Sequence, residues 1–384
     1  MRLFKKGFIF LSIGIRTTTL LFAYDNKEKR ISELEKQMLE VGSYHPGGVF
    51  GSRFASASPI NSDWEVGIEA LLWQAKVGGT EYACSVENLR PSTGNSFPLS
   101  GTISEISFDL DWGFKCQIGK QNIYEGCDLL LSYTRYFTSS RDGYRKDLPS
   151  GFFGLTGFLN PALTAKSHYK LHYQNVDAEF GKANFVSKQL LFRGYIGLKS
   201  SWIDQIQKSY YAFDVNYADL ASFSSYLKDT ANFWAIGPKL GMLSRWYLCR
   251  EFSLMSKVAG ALLYGYYRVQ DLYETQESRL IQQETETSFG KVDLKGSSHH
   301  FCPFVEMALG LSWNKAYLQD KIVMTLNLSY DMLYFSRQKE TLTGEGFVNT
   351  GGVPTLLNAS VIHFTKTVED LGFHGVSFSV EVDF

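Results

Sequence analysis

Residues Val376 to Phe384 alternate apolar and polar side chains without a slip and carry the pattern to the last residue of the chain. A strand has a side-chain period of two. Val376, Phe378, Val380, Val382 and Phe384 therefore share one face, and Ser377, Ser379, Glu381 and Asp383 share the other. Chain ends commonly fray. A terminus that keeps its amphipathic pattern is expected to be a paired strand, which either closes a sheet on itself or borders a soluble sandwich.

The same period runs through most of the chain. Ile106, Phe108, Leu110, Trp112, Phe114, Cys116 and Ile118 alternate with Glu105, Ser107, Asp109, Asp111, Gly113, Lys115 and Gln117, a sorting no helix could achieve. Comparable runs begin at Trp64, Cys127, Leu190, Trp234, Phe252, Val305 and Ile322, and each is long for a globular strand. Tyr169 to Phe180 is a further candidate whose register slips near Gln174 and Asn175, as a bulge would make it. Composition agrees, with 29 Phe, 22 Tyr and 34 Gly against 9 Pro, which favours strands and turns over helices. The chain past its amino terminus has no apolar run of the roughly 18 residues that a membrane-spanning helix needs.

The connections separate sandwich from barrel. Short links at Gly119 to Gly126, Gly181 to Ser187, Cys249 to Glu251 and Lys315 to Asp320 take turns with long links. The long ones run from Val77 to Ile103, Thr138 to Ser167, Asp204 to Thr230, Gln270 to Ser298 and Arg337 to Asp370. Strict alternation of short turns and long loops is the plan of an outer-membrane barrel, with the turns and both termini in the periplasm. The expected fold is all-β, a transmembrane antiparallel up-and-down barrel of about ten strands. Val77 to Cys84, Ser209 to Tyr217 and Leu356 to Phe364 could add strands and bring the count to as many as sixteen. Three units follow: a signal peptide over 1–23, a periplasmic amphipathic helix and linker over 24–62, and the barrel over 63–384. The first rests on Arg2, Lys5 and Lys6 before an apolar run, with cleavage near Ala23. The second rests on Ile31, Leu34, Met38 and Val41 at helical spacing before a stretch rich in Gly, Ser, Ala and Pro.

An apolar face turned to lipid leaves the polar face for the lumen, because Arg or Lys on the lipid side costs about 2–4 kcal/mol at the bilayer midplane. The expected lumen-lining residues are Glu105, Asp109, Asp111, Lys115, Asp128, Arg193, Lys199, Lys239, Lys257, Glu306, Glu381 and Asp383. Acidic residues would gather on one wall, with Arg193, Lys199, Lys239 and Lys257 on the wall opposite. They would set a transverse field across an aqueous path, or pair and plug a narrow bore. Trp64, Trp73, Trp202, Trp234, Trp246 and Trp313, with Tyr247, Tyr264 and Tyr334, lie toward strand ends as interfacial girdles do, whereas Trp112 falls nearer mid-strand.

Five cysteines leave at least one unpaired or bonded to another molecule. Cys116 and Cys127 flank the first short turn and could bridge it or stay as lipid-facing thiols, and Cys249, in a turn, is the candidate for an intermolecular disulfide. No cofactor, metal site or catalytic residue is expected. His168 and His172 share a strand face but stand over ~10 Å apart at about 3.3 Å per residue, too far to chelate one ion. Gly290 to Gly296 lacks phosphate-loop spacing. A net charge of -1 argues against nucleic acid.

Certain segments also carry a family likeness. Asn232-Phe233-Trp234-Ala235-Ile236-Gly237-Pro238-Lys239-Leu240-Gly241, then Ala261-Leu262-Leu263-Tyr264-Gly265, resembles the central signature of the Legionella-type pore-forming outer-membrane proteins, a family similar in role to chlamydial major outer-membrane protein. Leu191 to Lys199 and Leu371 to Val376 are similar to the same family, although Arg193-Gly194 stands where Arg-Pro is usual and Ala235 where Gly is common. The resemblance covers Trp64 to Phe384. It implies a porin-like barrel of a Gram-negative outer membrane that admits small hydrophilic solutes or ions, with exposed loops. The alternative is a structural or host-facing barrel, an adhesin with a plugged lumen; a loop-borne outer-membrane hydrolase is a third reading with little support. Expected partners are outer-membrane lipid, the barrel-assembly machinery through the last strand, small solutes and further copies of the chain.

Overall fold

The computed structural model describes residues 64–384 except 87–100, 125, 148–149, 155–160, 188, 214–219, 250, 282–283, 318–321 and 349–358. The expected signal peptide, helix and linker lie outside the described residues. Fourteen strands follow in chain order: β1 (Trp64–Val77), β2 (Glu81–Val86), β3 (Gly101–Glu105), β4 (Leu110–Tyr124), β5 (Cys127–Arg145), β6 (Gly151–Gly154), β7 (Pro161–Ala162), β8 (Thr164–Phe185), β9 (Leu190–Phe213), β10 (Leu220–Tyr247), β11 (Phe252–Ile281), β12 (Glu284–Tyr317), β13 (Ile322–Val348) and β14 (Ala359–Asp383). Ten of them, β1, β4, β5 and β8 to β14, form a closed antiparallel barrel in which sequence neighbours pair. The other four make a small sheet in the order β3-β2-β6-β7, built from the first two long connections.

The last strand closes the barrel against the first. Val66 faces Val382, Ile68 faces Val380, Ala70 faces Phe378 and Leu72 faces Val376. Trp64 and Phe384 exchange main-chain hydrogen bonds of 3.0 and 2.9 Å. Both termini of the barrel and the four tight turns lie at one end, and the five long connections at the other. At the first turn Gly126 takes φ 78°, a left-handed conformation that favours glycine.

Outward side chains form an apolar belt that includes Ile68, Ile118, Leu131, Ile196, Leu240, Leu309, Leu328 and Phe378, all exposed to the surroundings. Trp64, Trp246, Phe252 and Phe384 edge it at the turn end, and Trp112, Trp202, Trp234, Tyr264 and Tyr334 at the loop end. Trp112 is 70% exposed and belongs to this second girdle, because β4 begins only two residues before it. Trp73 and Tyr247 point inward and are buried, so the alternation removes both from the girdles.

Several expectations are corrected. The run from Glu105 to Ile118 is not one strand: β3 ends at Glu105 and β4 starts at Leu110. Glu105 and Asp109 are exposed residues of the loop end, outside the barrel wall, whereas Ile106 and Phe108 are buried under the small sheet. Apolar side chains here seek the top of a filled lumen rather than lipid, and that reverses the assignment. The bulge near Gln174 is absent, since β8 keeps an unbroken register with β5 and β9. Its inner face changes from Tyr169, Leu171 and Tyr173 to Asn175, Asp177 and Glu179, which in sequence imitates a slip. The three later long links are mostly paired ribbons. Ser209 to Phe213 and Ala359 to Phe364 extend β9 and β14 rather than adding strands. Cys116 stands opposite Tyr133, not Cys127, and all five thiols are free.

Replacing Leu240, at mid-belt on β10, with Arg is expected to destabilise the folded barrel by about 2–4 kcal/mol in lipid, read from the shift in its denaturant midpoint in vesicles.

Candidate functional site: a filled lumen

A barrel of about eight strands fills its own interior with side chains, and ten leave little more room. Inner side chains of opposite walls therefore meet. In the half nearer the turns they are charged. Lys239 Nζ lies 2.9 Å from Glu179, 3.1 Å from Glu306 and 3.4 Å from Asp177. Lys257 lies 2.8 Å from Glu306, and Lys199 3.4 Å from Asp177. Arg193 bonds Asp128 through Nε at 3.0 Å and through Nη2, and reaches Glu179 at 3.4 Å. Lys199, Lys239, Lys257 and Arg193 thus face Asp177, Glu179, Glu306 and Asp128, a balanced set. Nearby, Lys115 pairs with Glu69 at 2.9 Å and Arg245 with Glu381 at 3.3 Å.

Local sequence makes room for this layer. Gly237 stands opposite Lys199 in the β9–β10 ladder, and a Cβ there would lie 2.0 Å from the Leu262 carbonyl oxygen. Only glycine fits so close a strand approach. Gly197 stands opposite Lys239 and is equally crowded, by the Ala178 carbonyl. Lys199 and Lys239 then lie in the wall-to-wall layer only 1% exposed.

Above the charges the inner face turns aromatic. Tyr173 and Phe373 ring centres are 5.0 Å apart, Tyr136 and Phe373 5.5 Å, and Phe304 and Phe335 4.6 Å, with Trp73 6.0 Å from Tyr136. Lys199 Nζ stands 4.2 Å from the Phe304 ring centre and joins the two layers by a cation–π contact. The small sheet caps the stack. Phe108 meets Tyr169 edge-on at 5.4 Å, Gln207 donates to Thr80 O at 3.3 Å, the Tyr211 hydroxyl donates to Tyr82 O, and Lys339 donates to Gly79 O at 2.6 Å. At this mouth, beyond the belt, Asp229 faces Asp271. Burial, and then the neighbouring Asp229 carboxylate, push Asp271 up to about 9.

The charged layer brings together Asp128, Arg193, Lys199, Lys239, Lys257 and Glu306 from the expected set. Lys115 and Glu381 pair beside it, and Asp383 points inward near the turns, where it accepts from Gln121 at 3.1 Å. Asp111 faces inward higher up and accepts from Thr138. Charges of opposite sign meet in pairs instead of facing each other across open space. Sequence reasoning did not name Asp177, Glu179, Glu69 or Arg245. The strict alternation of β8, read through the change of face at Asn175, carried the signal for the first two. His168 and His172 lie on the outer face of β8, and Cys249 is exposed in the turn after β10.

Lys239→Met would remove the cation that Asp177, Glu179 and Glu306 share and leave four buried carboxylates to three cations, and a folding loss of about 3–5 kcal/mol is expected in vesicle-based urea unfolding. Adding Glu306→Gln should recover part of that loss.

No curated protein matches the chain. Among solved structures, the outer membrane protease OmpT of Escherichia coli is similar at 8% identity and a TM-score of 0.42, over 85% of this chain and 98% of that one. The toluene transporter TodX of Pseudomonas putida has 8% identity and a TM-score of 0.26, over 84% of this chain and 90% of that one. A FadL homologue of Pseudomonas aeruginosa has 9% identity and a TM-score of 0.21, over 88% and 97%. The family model described as Legionella pneumophila major outer membrane protein precursor matches residues 57–384. The chain belongs to that family and is an outer-membrane β-barrel of a Gram-negative bacterium.

Proposed function

We propose that this protein is a non-enzymatic, surface-facing barrel of the outer membrane whose lumen is closed at rest, with its extracellular ribbons as the working surface. One observation carries the reading. Lys199 and Lys239 are 1% exposed at mid-lumen, under a continuous layer of Phe304, Phe335, Phe373 and Tyr173. A standing path for hydrophilic solutes needs that cross-section clear. The last strand is the segment offered to the barrel-assembly machinery, and phospholipid and glycolipid are the belt's surroundings.

Passive diffusion of small hydrophilic solutes is the second reading, and it too has an observation behind it. The septum is built of ion pairs, although apolar residues of similar volume fill a core at no loss of stability and often a gain. Charged side chains that swing aside would leave a polar path; hydrocarbon would not.

Planar-bilayer recording discriminates between the two. Folded wild-type barrel, identified by heat-modifiable migration, should show no standing conductance, while joint Phe304→Ala, Phe335→Ala and Phe373→Ala should introduce steps. Steady wild-type conductance, with ion selectivity shifted by Lys199→Glu, would instead establish the porin.

Copies of the chain can also be linked covalently through Cys249, which is exposed in a periplasmic turn. A dimer on non-reducing gels of native envelopes, abolished by Cys249→Ser, is the expected result.

A further inference from the structure

The outer wall above the lipid belt carries cations that the lumen does not use. Register sets Arg141 opposite His168, His168 opposite Lys208, and Lys208 opposite Lys228, a row across β5, β8, β9 and β10. Alternation turns all four outward. Lys166 and Lys170 stand two residues to either side of His168 on the same face, and the Lys166 level continues into Tyr210 and Tyr226. Arg141, Lys166, His168, Lys208, Tyr210 and Tyr226 line an open cleft of ≈ 600 Å³.

Like charges directly opposite on neighbouring strands destabilise a sheet. Among the described residues none of Arg141, Lys166, Lys170, Lys208 and Lys228 is in an ion pair. The nearest carboxylates do not neutralise the row. Asp142, which also lines the cleft, accepts from the Tyr82 hydroxyl at 3.0 Å; Glu274, opposite Tyr226, pairs with Lys291 at 2.9 Å; and Asp204 stands opposite His172, lower on the wall. His168 itself is held below the usual imidazole range by partial burial first, then by Arg141, Lys170 and Lys208. Among the described residues nothing neutralises the row, and an anion from outside the chain would.

Height identifies the source of that anion. The row lies six residues beyond the girdle pair Trp202 and Trp234. That distance is about 20 Å along a strand, or roughly 14 Å of height at a tilt of about 45°. This is above a simple phospholipid headgroup and level with the phosphorylated sugar layer of an outer-leaflet glycolipid. Arg and Lys supply charge-assisted bonds to phosphate oxygens, and exposed tyrosines supply flat faces for sugar rings.

We propose that the outer face of β5, β8, β9 and β10 above the girdle is a binding site for a phosphorylated glycolipid headgroup of the outer leaflet, with Arg141, Lys166 and Lys208 as phosphate ligands. The site rests on the outer-membrane placement of the barrel and is independent of whether the lumen conducts.

The test uses folded full-length protein in phosphatidylcholine vesicles, titrated with bis-phosphorylated lipid A while the His168 imidazole is followed by NMR. A bound phosphate stabilises the imidazolium, so the His168 titration should move upward on saturation. Arg141→Gln and Lys208→Gln should each weaken binding roughly fivefold, leaving heat-modifiable migration unchanged. Dephosphorylated lipid A should neither bind comparably nor move His168. Equal binding of phosphorylated and dephosphorylated lipid would overturn the proposal. So would inorganic phosphate that reproduces the His168 shift at the same concentration, since the site would then be one for a free anion. Full affinity in the doubly substituted protein would overturn it as well.

Discussion

Every main-chain N–H and C=O inside a bilayer must find its partner within the protein, since hydrocarbon offers none. Sheets meet that demand only by closing, and here closure falls to β1 and β14, whose ladder runs from Glu65 and Asp383 to Val77 and Leu371. The rest follows from this joint. Closure at ten strands limits the bore, a narrow bore brings opposite walls within side-chain reach, and inner residues must then satisfy one another. The charged layer and the aromatic layer are two solutions to that one packing problem.

The charged solution tolerates little change. Lys239 serves Asp177, Glu179 and Glu306 together, and Glu306 is shared with Lys257, so the partners act as one unit. Buried ions lose hydration that only complete pairing offsets. The set is balanced in number and drawn from six successive strands of the barrel, β5, β8, β9, β10, β11 and β12. It therefore fixes the relative height of neighbouring strands, as a register lock does in a buried polar core.

Much of this was legible in the residues. Alternation located the strands, link lengths placed both termini and all turns at one end, and Val376 to Phe384 declared the closing strand. The inner face was harder to read. The rule that apolar means lipid holds for Ile68, Leu240 or Leu309, but fails for Trp73, Ile106, Phe108 and Tyr173, which are apolar because the upper lumen is a dry core. A period of two assigns residues to two faces and carries no label for which face is wet. Asp177 and Glu179 escaped notice for the same reason: β8 changes its inner chemistry halfway along without changing its register. Pairing partners such as Arg193 with Asp128 are 65 residues apart, and only the three-dimensional register brings them together.

The ladder between β12 and β13 stops at Phe304 and Phe335, yet β12 pairs with β11 as far as Glu284 and Ile281. Twenty residues of ribbon thus stand free of β13, about 66 Å of strand at the usual rise. Side chains bridge the base of the split, where His300 meets Glu340 at 3.1 Å and Ser298 donates to Glu340 at 2.6 Å. The opposite edge of the ribbon is not released, since β11 stays laced to β10 as far as Arg279. The wall therefore opens on one side only, and the root of that slit is Phe304 against Phe335, two rings of the layer that seals the lumen.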